Sequence, residues 1–207
     1  MDPLLTDRGA LVTGAASGNG RAIARTFAEH GADVVVADIR EEPRMAEVPT
    51  HEMIEEETAA RARFVKCDVT DPDDLHGAVA AAVEFGGLDV MVNNAGIFGY
   101  DTVPGSAGDY ETIMRVNVDG VYYGSHAAAD HMLNNGGGSI VNISSVDGIR
   151  GAGGFVGYCA SKGAVRVMTY ALADALGPEI PVNATHPGPI ETAQTTELIL
   201  FLEARSD

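Results

Sequence analysis

Short β-branched runs alternate along the whole chain with longer stretches of helical pattern, and this alternation narrows the fold more than any other feature. Strands are predicted at Ala10–Thr13, Asp33–Asp38, Arg63–Cys67, Leu88–Val92, Ser139–Ile143 and Pro181–Thr185. The run Asp33–Asp38 is continuously apolar at its centre, as in strands buried on both faces of a parallel sheet. Helices are predicted at Gly20–His30, over most of Arg40–Ala62 with breaks at Pro43 and Pro49, at Asp71–Phe85, Gly108–Asn134 and Phe155–Leu176. Asp71 is placed to cap the third helix, with Pro72 in its first turn. Strand and helix in alternation imply an α/β fold: a parallel sheet with right-handed crossovers. No linker divides the 207 residues, so residues 1–207 are expected to form one domain.

Charge narrows the partners. Thirteen Lys and Arg face thirty Asp and Glu, a net charge of −17. Nucleic acid and anionic membrane surfaces both call for a basic face, so neither is an expected partner. No apolar run approaches the ~18 residues of a membrane span, and the N-terminus shows no signal-peptide pattern. Cys67 and Cys159 lie far apart and suit a reducing compartment, giving a cytoplasmic expectation. Only Lys66 and Lys162 are lysines. The charge fits a soluble acidic protein or a halophilic one, whose self-repulsion is screened by concentrated salt.

The turn Thr13-Gly14-Ala15-Ala16-Ser17-Gly18-Asn19-Gly20 joins the first strand to the first helix. Glycines there permit a tight turn and close approach of backbone to a pyrophosphate, which the helix N-terminus attracts. Asp38, 24 residues after Gly14, ends the second strand, where a carboxylate accepts bonds from ribose hydroxyls and repels a 2′-phosphate. NAD is therefore expected over NADP, with Arg40 near enough to leave some NADP binding.

The spacing Gly14-x-x-x-Gly18-x-Gly20 resembles the turn of the short-chain dehydrogenase/reductase family. Asn93-Asn94-Ala95-Gly96, Asn117, Ser144-Ser145, Tyr158-x-x-x-Lys162 and Pro187-Gly188 with Thr192 are similar to that family's segments, in the same order. The resemblance implies a doubly wound, Rossmann-like sheet of order 3-2-1-4-5-6. It implies a catalytic set of Asn117, Ser145, Tyr158 and Lys162, with Ser145 chosen over Ser144 because it lies 13 residues before Tyr158. Ser145 would hold the substrate oxygen, Lys162 the nicotinamide ribose, and Asn117 a proton-relaying water. Cofactor contacts carried over are Gly14, Ser17, Gly18, Asn19, Gly20, Asp38, Asp68, Val69, Asn94, Gly96, Tyr158, Lys162, Pro187, Ile190 and Thr192.

The pair Tyr158 and Lys162 also has a reading of its own. Residues four apart share a helix face, so an ammonium can lie near the phenol and lower its pKa. A proton acceptor for alcohol oxidation, or donor for ketone reduction, results. The expected activity is NAD-dependent interconversion of a secondary alcohol and a ketone. The alternative is a non-catalytic dinucleotide-binding sensor or scaffold subunit. His126 and His131, five apart, fit no common metal pair, and no metal is expected. Cys159 is read as a small packed residue.

Two departures from the family pattern stand out. Asn19 replaces an apolar residue and is expected to tighten or rearrange the turn. After Thr192 only fifteen residues remain, where the family continues with a substrate loop, a helix and a seventh strand. Leu198–Leu202 resembles the helix before that strand, so a seventh strand is expected to be absent from this sequence, and a true truncation would leave the sixth as an edge. The resemblance further implies a homodimer, or a tetramer, paired through the two long helices.

Overall fold

The computed structural model describes residues 3–101, 109–192 and 195–196. Among them six parallel strands make one sheet: β1 (Gly9–Thr13), β2 (Asp33–Asp38), β3 (Ala62–Lys66), β4 (Val90–Asn93), β5 (Ser139–Ile143) and β6 (Val182–Thr185). Their order is β3-β2-β1-β4-β5-β6, the doubly wound arrangement expected. Each strand begins or ends within two residues of its predicted bounds. Leu198–Leu202 lies outside the described residues.

The strands alternate between two cores. Ala10, Val12, Val34 and Val36 pack against α1 (Gly18–Glu29) and α2 (Thr50–Glu57). Leu11, Val35 and Ala37 point the other way, toward α3 (Pro72–Phe85), α5 (Gly120–Met132) and α7 (Val156–Leu176). Both faces are thus covered, which is why β1 is buried throughout and reads as an unbroken apolar run. The Asp71 carboxylate accepts a bond from Asp73 N at 2.9 Å, with Pro72 as the first residue of α3, so that helix starts where its cap predicts.

Three stretches differ from expectation. In 40–62 only Thr50–Glu57 is helical. Pro43 and Pro49 confine the helix to the residues beyond them. The chain before it lies against the glycine turn: Arg44 N donates to Ser17 Oγ at 2.7 Å, and Arg21 Nη1 to Val48 O at 2.8 Å. The fourth predicted helix runs from Tyr110 to Met132 but is interrupted: α4 (Tyr110–Met114) passes through one π-helical turn, Arg115–Asp119, into α5. Gly108, its predicted start, lies outside the described residues. A short helix, α6 (Asp147–Arg150), follows β5 unannounced. It needs Gly148, because a Cβ there would lie 2.6 Å from the carbonyl carbon of Lys162.

A buried polar chain crosses the sheet. Asn93 Nδ2 donates to Ser125 Oγ at 3.0 Å and to Asn142 Oδ1 at 2.9 Å. Asn142 Nδ2 donates to Thr169 Oγ1 at 3.0 Å, which donates to Val165 O. The chain ties β4 and β5 to α5 and α7. Among the described residues, no helix is long and apolar enough to cross a membrane, and no group of three His, Cys, Asp or Glu side chains could hold a metal.

Candidate active site

The carboxyl ends of β1, β2, β4 and β5 open on one side of the sheet, and the strand order reverses between β1 and β4. In open α/β sheets this crevice is where ligands bind. Gly14 and Gly18 adopt φ of +63° and +55°, values that disfavour any side chain. A Cβ on Gly20 would lie 2.3 Å from Gly14 O and 2.5 Å from Asn94 Nδ2. The turn is therefore packed too closely for anything but glycine at these points. Asn94 Nδ2 donates to the carbonyls of Thr13, at 2.8 Å, and Gly14, at 3.2 Å, fastening the turn to the end of β4.

The first turn of α1 carries no acidic residue, and Ser17 at its N-cap makes no side-chain cap. Its unpaired amides and positive dipole end are left for an anion. They face a cleft of about 330 Å³ lined by Ser17, Gly18, Arg21, Met45, Glu191 and Thr192, among others. A nicotinamide dinucleotide fits this cradle through its pyrophosphate. Asn19 lies within the first turn of α1 and is not left-handed.

Asp38 faces the same turn: its carboxylate accepts from Ala16 N at 3.1 Å and Arg40 N at 3.3 Å. Asp68 Oδ1 accepts from both Thr70 N and Thr70 Oγ1. Val69 turns its side chain into the core, where a Cβ on Gly120 would meet it at 2.8 Å, so any cofactor contact from Val69 is left to its main chain. Thr192 lies against Gly18, its Cγ2 3.5 Å from where a Cβ would be. Ile190 is exposed. Val146 N donates to Pro187 O at 3.1 Å, which draws the segment after β6 to Ser145.

The second half of the site is built on α7. Tyr158 and Lys162 share one face, with the Lys162 Nζ 5.8 Å from the centroid of the phenol ring. The ammonium donates to Ile143 O at 2.8 Å, and Ser144 Oγ donates to Lys162 O. Ser145 Oγ accepts from Asp147 N at 3.1 Å and lies near enough to the Tyr158 phenol to pull its pKa down. Gly96 leaves room in front: a Cβ there would be 3.3 Å from both Lys162 Nζ and Asn117 Oδ1. Asn117 sits in the π-helical turn. Its side chain is fully engaged, accepting from Ile97 N and donating to Ile97 O and Ser161 Oγ. A water held by Asn117 would therefore fall to its main chain.

The electrostatics of the free protein are dominated by burial. The Tyr158 phenol is pushed above its ordinary value, by burial first, while the neighbouring Ser145 hydroxyl pulls it down and Asp147 and Cys159 push it up. Burial alone brings the Lys162 ammonium down to about 8, so in the free protein it gives up its proton before the phenol titrates. Spacing on a helix places two groups on one face but carries no information about how deeply that face is buried.

Cys159 packs as expected, with Ala152 N donating to its sulfur at 3.2 Å. The sequence reading missed Asp101, whose carboxylate accepts from Val156 N at 2.5 Å and Gly157 N at 2.7 Å at the start of α7. Only a lone Asp in a loop marked it, and its partner lies 55 residues on.

The sequence profile of short chain dehydrogenases matches residues 8–200. The 3-alpha-(or 20-beta)-hydroxysteroid dehydrogenase of Mycobacterium tuberculosis is 41% identical over 198 residues, spanning 94% of this chain and 74% of that protein. The 2-(R)-hydroxypropyl-CoM dehydrogenase of Xanthobacter autotrophicus is 41% identical over 196 residues, 91% of this chain and 76% of that one. The crystal structure of a short-chain type dehydrogenase/reductase from Mycobacterium marinum superposes with a TM-score of 0.87 at 33% identity, covering 97% of this chain and 80% of its own. Sheet order, glycine turn and the Ser145–Tyr158–Lys162 grouping agree with a profile match over nearly the whole length, and the chain belongs to the short chain dehydrogenase family.

Proposed function

We propose that this protein is an NAD-dependent dehydrogenase that interconverts a secondary alcohol and its ketone on a single domain. The observation that carries the reading is the gathering of Ser145, at the carboxyl end of β5, with Tyr158 and buried Lys162 on one face of α7, the Lys162 Nζ 5.8 Å from the phenol ring centroid. A bound nicotinamide ring supplies the hydride acceptor for oxidation and the donor for reduction. Ser145 holds the substrate oxygen beside the phenol. Tyr158 takes the hydroxyl proton on oxidation and returns it on reduction. Lys162 holds the nicotinamide ribose, and its charge, once a substrate oxygen approaches, favours the phenolate. The curated relatives are named as dehydrogenases of hydroxyl-bearing compounds, which supports this reaction class. Reduced nicotinamide formed or consumed with a panel of secondary alcohols and ketones tests it. Dinucleotide binding with no turnover on any of them would instead favour a sensor.

Asp38 supports NAD over NADP, since its carboxylate is held at the glycine turn by Ala16 N. The free enzyme is expected to bind NAD(H) more tightly, and Asp38→Ala to narrow the gap by roughly tenfold, through loss of ribose bonds and of repulsion. Dissociation constants for both cofactors, measured on both proteins, check this. Tighter NADP(H) binding by the wild type would overturn it.

The assembly proposed is a homodimer, extending to a tetramer, through α4–α5 and α7. Tyr122, Val167 and Tyr170 are 47%, 58% and 61% exposed on those helices and would be covered by it. Light scattering at micromolar concentration in high salt should report a dimer or tetramer, and a monomer would remove the proposal. A reducing cytoplasm suits the two free cysteines, Cys67 and Cys159.

Adaptation to concentrated salt is the reading we favour for the charge of −17. Screening helps the compact state more than the extended chain, because its charges lie closer together. The melting temperature and the activity should both rise from about 0.1 M toward about 1 M potassium chloride, where the screening length falls to ~3 Å. A flat or falling melting temperature would leave the charge with a solubility role alone.

A further inference from the structure

We propose that Asp101 is a positioning residue for Tyr158: it fixes the first turn of α7 from the loop after β4, and through that turn the place of the phenol. The inference rests on the reading of Tyr158 as the proton-transfer group.

Helix α7 begins without a cap of its own. Its N-cap residue is Phe155, which makes no side-chain bond to the helix, and its first turn has no acidic residue. Both oxygens of Asp101 fill the gap, one on Val156 N and the other on Gly157 N. These are the two amides directly before Tyr158. The Asp101 main chain is tied to the same place, its N–H donating to Gly154 O at 2.9 Å and pairing in a parallel bridge with Phe155. Gly157 accommodates the carboxylate, since a Cβ there would lie 3.1 Å from Asp101 Oδ2 and 3.1 Å from the Tyr110 ring.

The segment from Ile97 to Asp101 is therefore clamped at both ends. Asn117 holds Ile97 through its main-chain N–H and carbonyl, and the start of α7 holds Asp101. Between the clamps Phe98 lies with its ring centroid 4.6 Å from that of Tyr158 and 4.6 Å from that of Phe155. The phenol ring is thus braced by a tilted neighbour whose own position depends on the Asp101 clamp. Charge-assisted bonds to backbone amides are among the stronger ones available to hold such a turn. A displacement of about 1 Å at a reacting group is enough to cost up to ~100-fold in rate.

The test is Asp101→Ala beside Asp101→Asn, whose amide oxygen keeps one acceptor. In the alanine variant the amides of Val156 and Gly157 should lose protection from hydrogen exchange, while those in the last two turns of α7 keep it. Turnover should fall roughly 10- to 100-fold, with KM for the substrate changed less than threefold and NAD(H) affinity within about twofold. Asparagine should recover part of both the protection and the rate, and carries the test if the alanine variant does not fold. In a Tyr158→Phe background the further loss on removing Asp101 should shrink below about twofold, because the group being positioned is gone. Wild-type turnover in both Asp101 variants, with Tyr158→Phe inactive, would overturn the positioning role and leave the reaction standing. An equal loss in both backgrounds would also overturn it. Full activity in Tyr158→Phe would instead remove the reading on which the role rests.

Discussion

Tyr158→Phe should lower turnover by about 10³-fold while leaving NAD(H) affinity within about twofold of wild type. The substitution removes one oxygen and little else. The ring that packs on Phe98 at 4.6 Å remains, so the brace on α7 and the adjoining aromatic contacts persist. The loss falls on the proton. Ser145 keeps its bond from Asp147 N and can still meet a substrate oxygen, but the proton acceptor we assign to that oxygen is gone. Lys162 cannot substitute, because with a pKa of about 8 its Nζ already carries its proton at neutral pH. Turnover under conditions where chemistry limits the rate, together with cofactor titration, checks the expectation. Retention of more than about a tenth of wild-type turnover would remove Tyr158 from the role given it.

Lys162→Met should abolish activity and yet make the protein more stable. Lys162 is buried with a single hydrogen bond, to Ile143 O, and burial brings its pKa from 10.5 to about 8. Holding that charge in the fold therefore costs stability wherever the group is protonated. A thioether of similar length removes the cost and leaves one carbonyl without its donor, a smaller penalty of about 1 kcal/mol. A net gain on the order of 1–2 kcal/mol, or a rise of several degrees in melting temperature, is expected near neutral pH. The sign across pH follows from linkage. Below about pH 8 both folded and unfolded chains keep the proton, and the advantage of methionine is constant. From about 8 to 10.5 the unfolded chain binds the proton more tightly than the folded one, so wild-type stability rises with pH relative to the variant and the gap closes. Paired melting curves at neutral and alkaline pH measure this. A variant less stable than wild type at pH 7 would show that Lys162 supports the fold rather than burdening it.

The parts legible in the sequence were those written in neighbouring residues. Glycines in the turn, acids at strand ends and the Tyr158–Lys162 spacing all act within one element, and each sits where the pattern placed it. Helix α3 is the cleanest case, because cap, proline and apolar face are contiguous. The parts not legible depend on residues far apart. Asp101 caps α7 across 55 residues, and no local signal names its partner. The Tyr158 phenol is raised in the free protein because desolvation is set by what packs over α7, which the Tyr158–Lys162 spacing does not show. Pro43 and Pro49 were seen as interruptions, but the binding of that segment to Ser17 and Arg21 could be read only once β1 and β2 lay side by side. The π-helical turn at Asn117 likewise has no compositional mark; its bonds to Ile97 and Ser161 come from other elements.

The amide chain through Asn93, Asn142 and Thr169 settles a question that the apolar residues leave open. Strands β4 and β5 pair Met91 with Ile140 and Val92 with Val141. Apolar residues at successive positions, sandwiched between two cores, would tolerate a shift of one residue with little loss of burial. Asn93 and Asn142 would not, because a shift parts Nδ2 from Oδ1 and strands both amides, Ser125 and Thr169 away from water. Gly124 enforces the same alignment from above, since a Cβ there would lie 2.2 Å from Asn93 Oδ1. Misaligned chains are thus penalised several times at one point, and the polar chain works as an alignment key that brings the ends of β4 and β5, with Asn94 and Ser145 just beyond them, to the same level.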